Sequence, residues 1–399
     1  MKKTVKDIDI KNKKVIMRVD FNVPLDKETN SKITDTTRVD AAMPTIEYIL
    51  SQGASLILMS HLGRPKGEAN PKYSLKPVYD YLKTKLPNNK VIFANDCIGE
   101  EVKKTAGSLN AGDVLLLENL RYHAEEEKND ANFSKQLADL ADVYVNDAFG
   151  TAHRAHASTA GIVAAKPSMP AVAGFLMEKE IKYLGDAVAE PKRPFVAIIG
   201  GAKVSSKISV LKSLLNKVDT LIVVGGMAYT FFKAKGYEIG TSLCEDDYIQ
   251  TAKEIMDKAK ELNKTLYLPI DNVVADKFDN DANKKIVDCN AIPSGWMGMD
   301  VGDKTLKEIE NILKSAKTIV WNGPLGVFEM SNFAKGTFET AKFIANSGAV
   351  SIIGGGDSVS AVNKSGVADK MTHISTGGGA SLEFLEGIEL PGIKVLQDK

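Results

Sequence analysis

Short apolar runs recur along the chain, separated by stretches of the length a helix and its turns would fill. Val15–Met17, Leu56–Met59, Val91–Phe93, Val114–Leu117 and Val143–Val145 form a first set. Phe195–Ile199, Leu221–Val224, Leu266–Leu268, Ile319–Trp321 and Val350–Ile353 form a second. Consecutive positions are apolar, without in-out alternation, as expected of strands covered on both faces of a parallel sheet. Between them lie helical stripes such as Ile208, Leu211, Leu215 and Val218, whose spacing marks one apolar face. This alternation predicts an α/β protein with two doubly wound, Rossmann-like parallel-sheet domains. The break falls mid-chain: Pro167 and Pro170, then a stripe of Met177, Ile181, Leu184 and Val188, then Pro191 and Pro194. The expected division is an N-terminal domain over 1–173, a connector helix over 174–189 and a C-terminal domain over 190–387. The alternative is a helix internal to one of the domains.

The length of 399 residues agrees, since single cores stop growing beyond roughly 250–300 residues. Formal net charge is zero, so no polyanion-attracting field exists and nucleic acid is not an expected partner. Cys97, Cys244 and Cys289 lack metal-ligand spacing and suggest free thiols in a reducing compartment. Thr4 to Asn12 alternates charge with Val and Ile, unlike a signal-peptide core. No apolar run approaches the ~20 residues of a membrane span. A cytoplasmic protein is expected.

Charge type changes the picture more than charge balance. Lysines number 45 and arginines six, none of the arginines after Arg193. Lysine suffices on solvated faces, whereas a planar guanidinium grips carboxylate or phosphate. Ligands of open parallel sheets bind beyond the carboxyl ends of the strands. There the N-terminal half carries Arg18-Val-Asp20-Phe21-Asn22, Ser60-His61-Leu62-Gly63-Arg64, Glu118-Asn119-Leu-Arg121 and Asn146-Asp147, then His153-Arg154-Ala-His156, with Arg38 after the first segment. Arginines and histidines converging on one sheet edge predict a pocket for a small, multiply charged anion. A metal at His153 and His156 is the weaker reading, because no third helix-spaced ligand accompanies them.

The C-terminal strand ends have the opposite character. They read Gly200-Gly201-Ala-Lys203-Val-Ser-Ser-Lys207, Gly225-Gly226, Pro269-Ile-Asp271, Trp321-Asn322-Gly323-Pro324, Gly354-Gly355-Gly356-Asp357-Ser358 and Gly377-Gly378-Gly379. Glycines admit a ligand close to the backbone, and helix N-termini favour phosphate oxygens. Repetition of this turn in one domain predicts a nucleotide. Neither a Walker A motif nor a dinucleotide fingerprint is present. Asp357 suits both a helix N-cap and a ligand of Mg²⁺ carried by the nucleotide, direct or through water.

Taken together these segments resemble the phosphoglycerate kinase family, from Val15 to the last residues. Val15-Ile-Met-Arg-Val-Asp-Phe-Asn-Val-Pro24, Ser60-His-Leu-Gly-Arg-Pro-Lys66, Glu118-Asn-Leu-Arg-Tyr122, Trp321 to Glu329 and Gly377 to Ser381 carry the likeness. The resemblance implies reversible transfer of the acyl phosphate of 1,3-bisphosphoglycerate to ADP, giving 3-phosphoglycerate and ATP. It implies that Asp20, Phe21, Asn22, Arg38, His61, Leu62, Gly63, Arg64, Arg121 and Arg154 form the glycerate site, with Arg18, His153 and His156 completing the basic patch. It assigns Lys203, Lys207, Gly225, Gly226, Gly298, Asn322, Glu329, Gly355, Gly356, Asp357 and Ser358 to the nucleotide, Asp357 to Mg²⁺, and Arg38, Lys203 and Gly377 to Gly379 to the moving phosphoryl. It further implies a tail over 388–399 returning to the N-terminal domain, and a monomer. Val224 and Val359 depart from the smaller residues usual at those places, which would narrow the nucleotide pocket.

The residue chemistry agrees independently. A carboxylate acceptor with a reference pKa of ~3.5 needs no general base at neutral pH, and no nucleophile-base constellation is present. A two-lobed binding protein and a nicotinamide dehydrogenase are the rival classes. The first normally carries an export signal and needs no metal ligand; the second needs the dinucleotide fingerprint.

Overall fold

The computed structural model describes all 399 residues, except that the side chains of Ala187 and Val188 lie outside the described set. The chain divides into two compact units, Met1–Lys182 with Glu389–Lys399, and Tyr183–Ile388.

The first unit is built on six parallel strands: β1 (Lys14–Arg18), β2 (Ser55–Met59), β3 (Val91–Phe93), β4 (Val114–Leu116), β5 (Val143–Asn146) and β6 (Ala171–Ala173). Their order is β3-β4-β2-β1-β5-β6. β2 and β4 are buried at every position, which is why their sequences lack alternation. Burying each such Leu, Ile or Val contributes roughly 1.5–3 kcal/mol. The helix Thr37–Ser51 packs Val39, Ile46 and Ile49 into the same core as Val15, Met17, Leu56 and Leu58. The chain runs outward from β1 to β2 and on to the edge strand β3, comes back to place β4 between β3 and β2, then crosses to β5 on the other side of β1. The order therefore reverses between β1 and β5, where a crevice forms at the strand ends.

The second unit contains β7 (Phe195–Ile199), β8 (Thr220–Val223), β9 (Thr265–Tyr267), β10 (Asp271–Ala275), β11 (Lys284–Asp288), β12 (Met297–Val301), β13 (Thr318–Asn322), β14 (Val350–Gly354) and β15 (His373–Ile374). Six form a parallel sheet in the order β15-β14-β13-β7-β8-β9, and β11-β10-β12 form a small antiparallel sheet. The six-stranded order reverses between β7 and β13. Trp321 lies fully buried in this unit's core, its indole N–H donating to the Gly323 carbonyl at 2.8 Å.

Each apolar run read from the sequence is a strand. β6, β15 and the antiparallel sheet carry no comparable run. The helix near 208–218 is shorter than its stripe: it ends at Leu215, with Val218 buried beyond it. The helix Phe175–Ala189 continues from the first unit into the second. Met177 and Leu184 of its stripe are buried and Ile181 half-buried, while the Val188 side chain is outside the described residues. The C-terminal segment belongs to the first unit. Lys3 N–H donates to Gln397 O at 2.8 Å, Gln397 N–H to Ala171 O at 2.9 Å, and the Asn146 amide to Gly392 O at 2.9 Å.

Candidate active site

Because β1, β2, β4 and β5 run parallel, Arg18, Ser60-His61, Glu118–Arg121 and Asn146-Asp147 emerge at one edge of the first sheet. Arg38 on the first long helix pairs with Asp20, Nη1 to Oδ2 at 2.9 Å. Asp20 also accepts the Asn22 N–H at 3.1 Å, and Asn22 Oδ1 accepts the Gly63 N–H at 2.8 Å. Arg121 donates to the Gly63 carbonyl at 3.0 Å and lies 3.4 Å from Glu127. Arg64 and Arg154 are exposed.

Arg18, Arg38, Arg121 and Arg154 act electrostatically on the buried histidines of this edge. Burial, then the charges of Arg18, Arg121 and Arg38, hold His61 well below the ordinary imidazole value. Burial, then the charges of Arg121, Arg18 and Arg154, bring His156 down to about 4. Both imidazoles are therefore neutral at pH 7, and the charges acting on them are those of the arginines.

Other predicted positions contribute backbone or scaffolding. Phe21 and Leu62 are buried core side chains. Their N–H groups donate to Ser60 Oγ at 2.9 Å and Asn119 Oδ1 at 3.2 Å. Arg18 is fully buried, donating to Ser158 Oγ at 2.8 Å, to the Val19 carbonyl, and to His61 Nδ1 at 3.2 Å. Asp147 is turned inward, accepting the Met177 N–H at 3.0 Å, and burial raises its carboxyl to about 6. Sequence reasoning gave no roles to Asn119, Glu118, Glu126 or Ser158. Asn119 ties the 61–64 loop to its own, donating to Leu62 O at 2.7 Å and to Tyr73 O at 2.8 Å. Glu118 accepts from Ser74 Oγ and Leu75 N–H.

In the second unit two cavities meet over the β7/β13 reversal. One, of about 750 Å³, is lined by Tyr229, Leu243, Phe278, Met297 and Met299, with Gly225, Gly226, Gly298 and Glu329 among its other walls. The other, of about 420 Å³, is lined by Lys203, Lys207, Asn322, Gly355, Gly378 and Gly379. Gly201, Ala202, Pro324 and Asp357 border both. The first is apolar and wide enough for a flat heterocycle. The second is floored by backbone and bordered by the first residues of the helices Gly356–Lys364 and Gly379–Glu386, whose free amides favour anions.

Close backbone approach makes this floor. A Cβ on Gly200 would lie 2.1 Å from the Pro324 carbonyl oxygen, and one on Gly323 would lie 2.1 Å from that of Gly200. Gly355, at φ +84, turns the chain from β14 into its helix. Lys207 Nζ donates to Asn322 Oδ1. The Asn322 amide nitrogen is buried with no hydrogen-bond partner, a donor that needs an acceptor. Asp357 opens its helix exposed, while Ser358 is buried and accepts the Gly323 N–H at 2.6 Å. Ser358 thus braces the turn after β13. Asp271, flagged at a strand end, is buried and caps the helix Asp303–Ser315 through Lys304 and Thr305 N–H. Phe278 and the methionines of the small sheet were not foreseen, because an isolated aromatic in a polar loop carries no local signal.

The family described as phosphoglycerate kinase matches residues 5–388. A Clostridium botulinum protein named phosphoglycerate kinase is 58% identical over 400 residues, covering 100% of this chain and 99% of its own length. An Arabidopsis thaliana protein named phosphoglycerate kinase 3, cytosolic, is 58% identical over 398 residues, covering 99% and 98%. The phosphoglycerate kinase structure from Coxiella burnetii superposes with a TM-score of 0.90 at 41% identity, covering 99% and 98%. The chain belongs to the phosphoglycerate kinase family.

Proposed function

We propose that the arginine-rich edge of the first unit holds 3-phosphoglycerate or 1,3-bisphosphoglycerate, and that the paired cavities of the second hold ADP or ATP with Mg²⁺. The enzyme is a phosphoglycerate kinase, transferring the acyl phosphate of 1,3-bisphosphoglycerate reversibly to ADP.

The observation that carries the nucleotide reading is the buried, unpartnered Asn322 amide beside Lys207 at the β7/β13 reversal. A phosphate oxygen supplies the acceptor it lacks. The adenine stacks in the apolar cavity, Glu329 at its rim meets the ribose hydroxyls, and the phosphates lie over Gly355, Gly356 and the amides near Gly377 to Gly379. Asp357, an exposed carboxylate bordering both cavities, fits one hard cation with oxygen ligands. Mg²⁺ bound there neutralises phosphate charge.

In the first unit Arg38, Arg64, Arg121 and Arg154 supply the forks for phosphate and carboxylate, with Asp20 and Asn22 for the hydroxyl. The attacking carboxylate is already ionised, so no proton is abstracted. Arg38, Lys203 and the glycine amides stabilise charge spread over the moving phosphoryl. We place the enzyme in the cytoplasm as a monomer, in keeping with the Arabidopsis relative named cytosolic; no described helix is long and apolar enough to cross a membrane.

The test is coupled spectrophotometry of ATP formation from ADP and enzymatically generated 1,3-bisphosphoglycerate. Activity requiring both substrates and Mg²⁺ is expected. An enzyme indifferent to Mg²⁺, or unaffected by Asn322→Ala, contradicts the nucleotide arrangement.

A further inference from the structure

Behind the arginine edge lies a buried chain of polar groups that the transfer chemistry does not use. Glu126, in the short helix Ala124–Glu127, is fully buried. Its Oε1 accepts the Ser158 hydroxyl at 2.5 Å and its Oε2 the Ser158 N–H at 2.9 Å. Ser158 Oγ in turn accepts Arg18 Nε at 2.8 Å, and Arg18 Nη2 reaches His61 Nδ1 at 3.2 Å. Arg18 and Ser158 are fully buried as well, and His61 nearly so.

The direction of every bond follows from the groups themselves. A guanidinium only donates, so Ser158 must use its oxygen for Arg18 and its proton for Glu126. By the same rule His61 Nδ1 must present a lone pair to Arg18. A neutral imidazole with an accepting Nδ1 carries its proton on Nε2. His61 is then a neutral hydrogen-bond donor. The alternative tautomer would set an N–H against an N–H inside the protein.

We propose that Glu126 and Ser158 are positioning residues for glycerate binding: they orient Arg18, which locks His61 in the Nε2–H tautomer as a donor to an anionic oxygen of the glycerate ligand. This rests on the glycerate reading of the edge given above. The burial of Glu126 is consistent with such a role. As a carboxylate Glu126 accepts on both oxygens, and Arg18 is the counter-charge that favours this form against the desolvation that raises its pKa. His156 Nδ1, 4.0 Å from Glu126 Oε1 and without a hydrogen bond, adds no competing donor.

The test combines long-range ¹H–¹⁵N correlation spectra of ¹⁵N-histidine-labelled protein near pH 7.5 with steady-state kinetics. His61 is assigned by the signal missing in His61→Asn. The wild type is expected to show His61 solely as the Nε2–H tautomer. In Ser158→Ala and Glu126→Gln a tautomer mixture should appear. The KM for 3-phosphoglycerate should rise roughly tenfold, the size of a lost hydrogen bond to a charged group, while the KM for ATP is unchanged. An Nδ1–H or doubly protonated His61 in the wild type overturns the proposal without any variant. So does Ser158→Ala that keeps one tautomer, or that mixes tautomers with no change in KM for 3-phosphoglycerate. A rise in KM for both substrates marks a merely structural role and also overturns it. Wild-type protein lacking 3-phosphoglycerate-dependent turnover, yet showing the Nε2–H tautomer, would instead contradict the glycerate reading.

Discussion

Arg38 shows how a residue's partners sharpen what its type suggests. Its placement after the first strand marked it as an anion grip; its 2.9 Å pair with Asp20 adds that it is held in place before any ligand arrives. Removing a donor that neutralises charge in the transition state typically lowers rate by ~10²–10³. Arg38→Ala is therefore expected to lower kcat by that order. It should also raise the KM for 3-phosphoglycerate modestly, because Asp20 loses its counter-charge beside an anion. Initial-rate kinetics check this, and a variant changed in KM alone would make Arg38 a binding residue only. Asp357→Asn keeps shape and loses charge, so half-maximal activity should need more Mg²⁺; an unchanged Mg²⁺ titration would leave Asp357 a helix opener. Residue type was legible in the sequence at these two positions. Orientation was not: Arg18 looks like its neighbours in one dimension, yet it is fully buried against Ser158 and His61. Burial depends on which strands flank β1, and no local pattern encodes that.

The strands of the two parallel sheets were legible because both their faces are covered, which leaves an uninterrupted apolar run. β6 was missed since Ala171–Ala173 is small and brief, and β15 because it has two residues. β11 was missed because four of its five residues are exposed. The glycine-rich turns were legible as phosphate-binding candidates, but not the contact of the turns after β7 and β13 with each other. Gly200→Ala tests that contact. Its methyl would sit 2.1 Å from the Pro324 oxygen, and relieving such overpacking costs about 1–3 kcal/mol. The KM for ATP should rise while that for 3-phosphoglycerate holds; equal values in the variant and wild type would mean that the turns part freely. β12 supplies a pH test. Asp300 at its buried end accepts Gly336 and Val301 N–H groups, and burial raises its carboxyl to about 7 from 3.8. The folded state then binds the proton more tightly than the unfolded chain, so this group's contribution falls as pH rises from about 4 through about 7. Asp300→Asn cannot titrate. The wild-type melting temperature minus that of the variant should drop between pH 5 and pH 8, and a constant difference would contradict the shift.

Each unit carries its own sheet and core, and the chain's last residues belong to the first unit although they follow the second in sequence. The tail's return was implied by the family resemblance and is invisible to periodicity, because its apolar residues Leu390, Ile393 and Leu396 are few. Its hold on the first unit is specific. All three side chains are buried, Lys399 N–H donates to Met1 O, and Gly392 N–H donates to Ala152 O at 2.8 Å. A Cβ on Gly392 would lie 2.9 Å from Ala152 Cα and 3.2 Å from the Asn146 amide nitrogen. Asn146 ends β5, so tail and strand end brace each other beside the arginine edge. Gly392→Ala should therefore loosen the first unit without touching the second. Hydrogen exchange followed by mass spectrometry is the direct readout. Faster exchange is expected in 1–10, 143–152 and 389–399, with the β7–β15 segments at wild-type rates. A ligand that binds only the folded state stabilises it by about 2.7 kcal/mol at one hundred times its Kd. Saturating 3-phosphoglycerate should thus restore protection to the first-unit segments, whereas ADP alone should not. If ADP alone restored them and 3-phosphoglycerate did not, assigning each ligand to its own unit would be wrong.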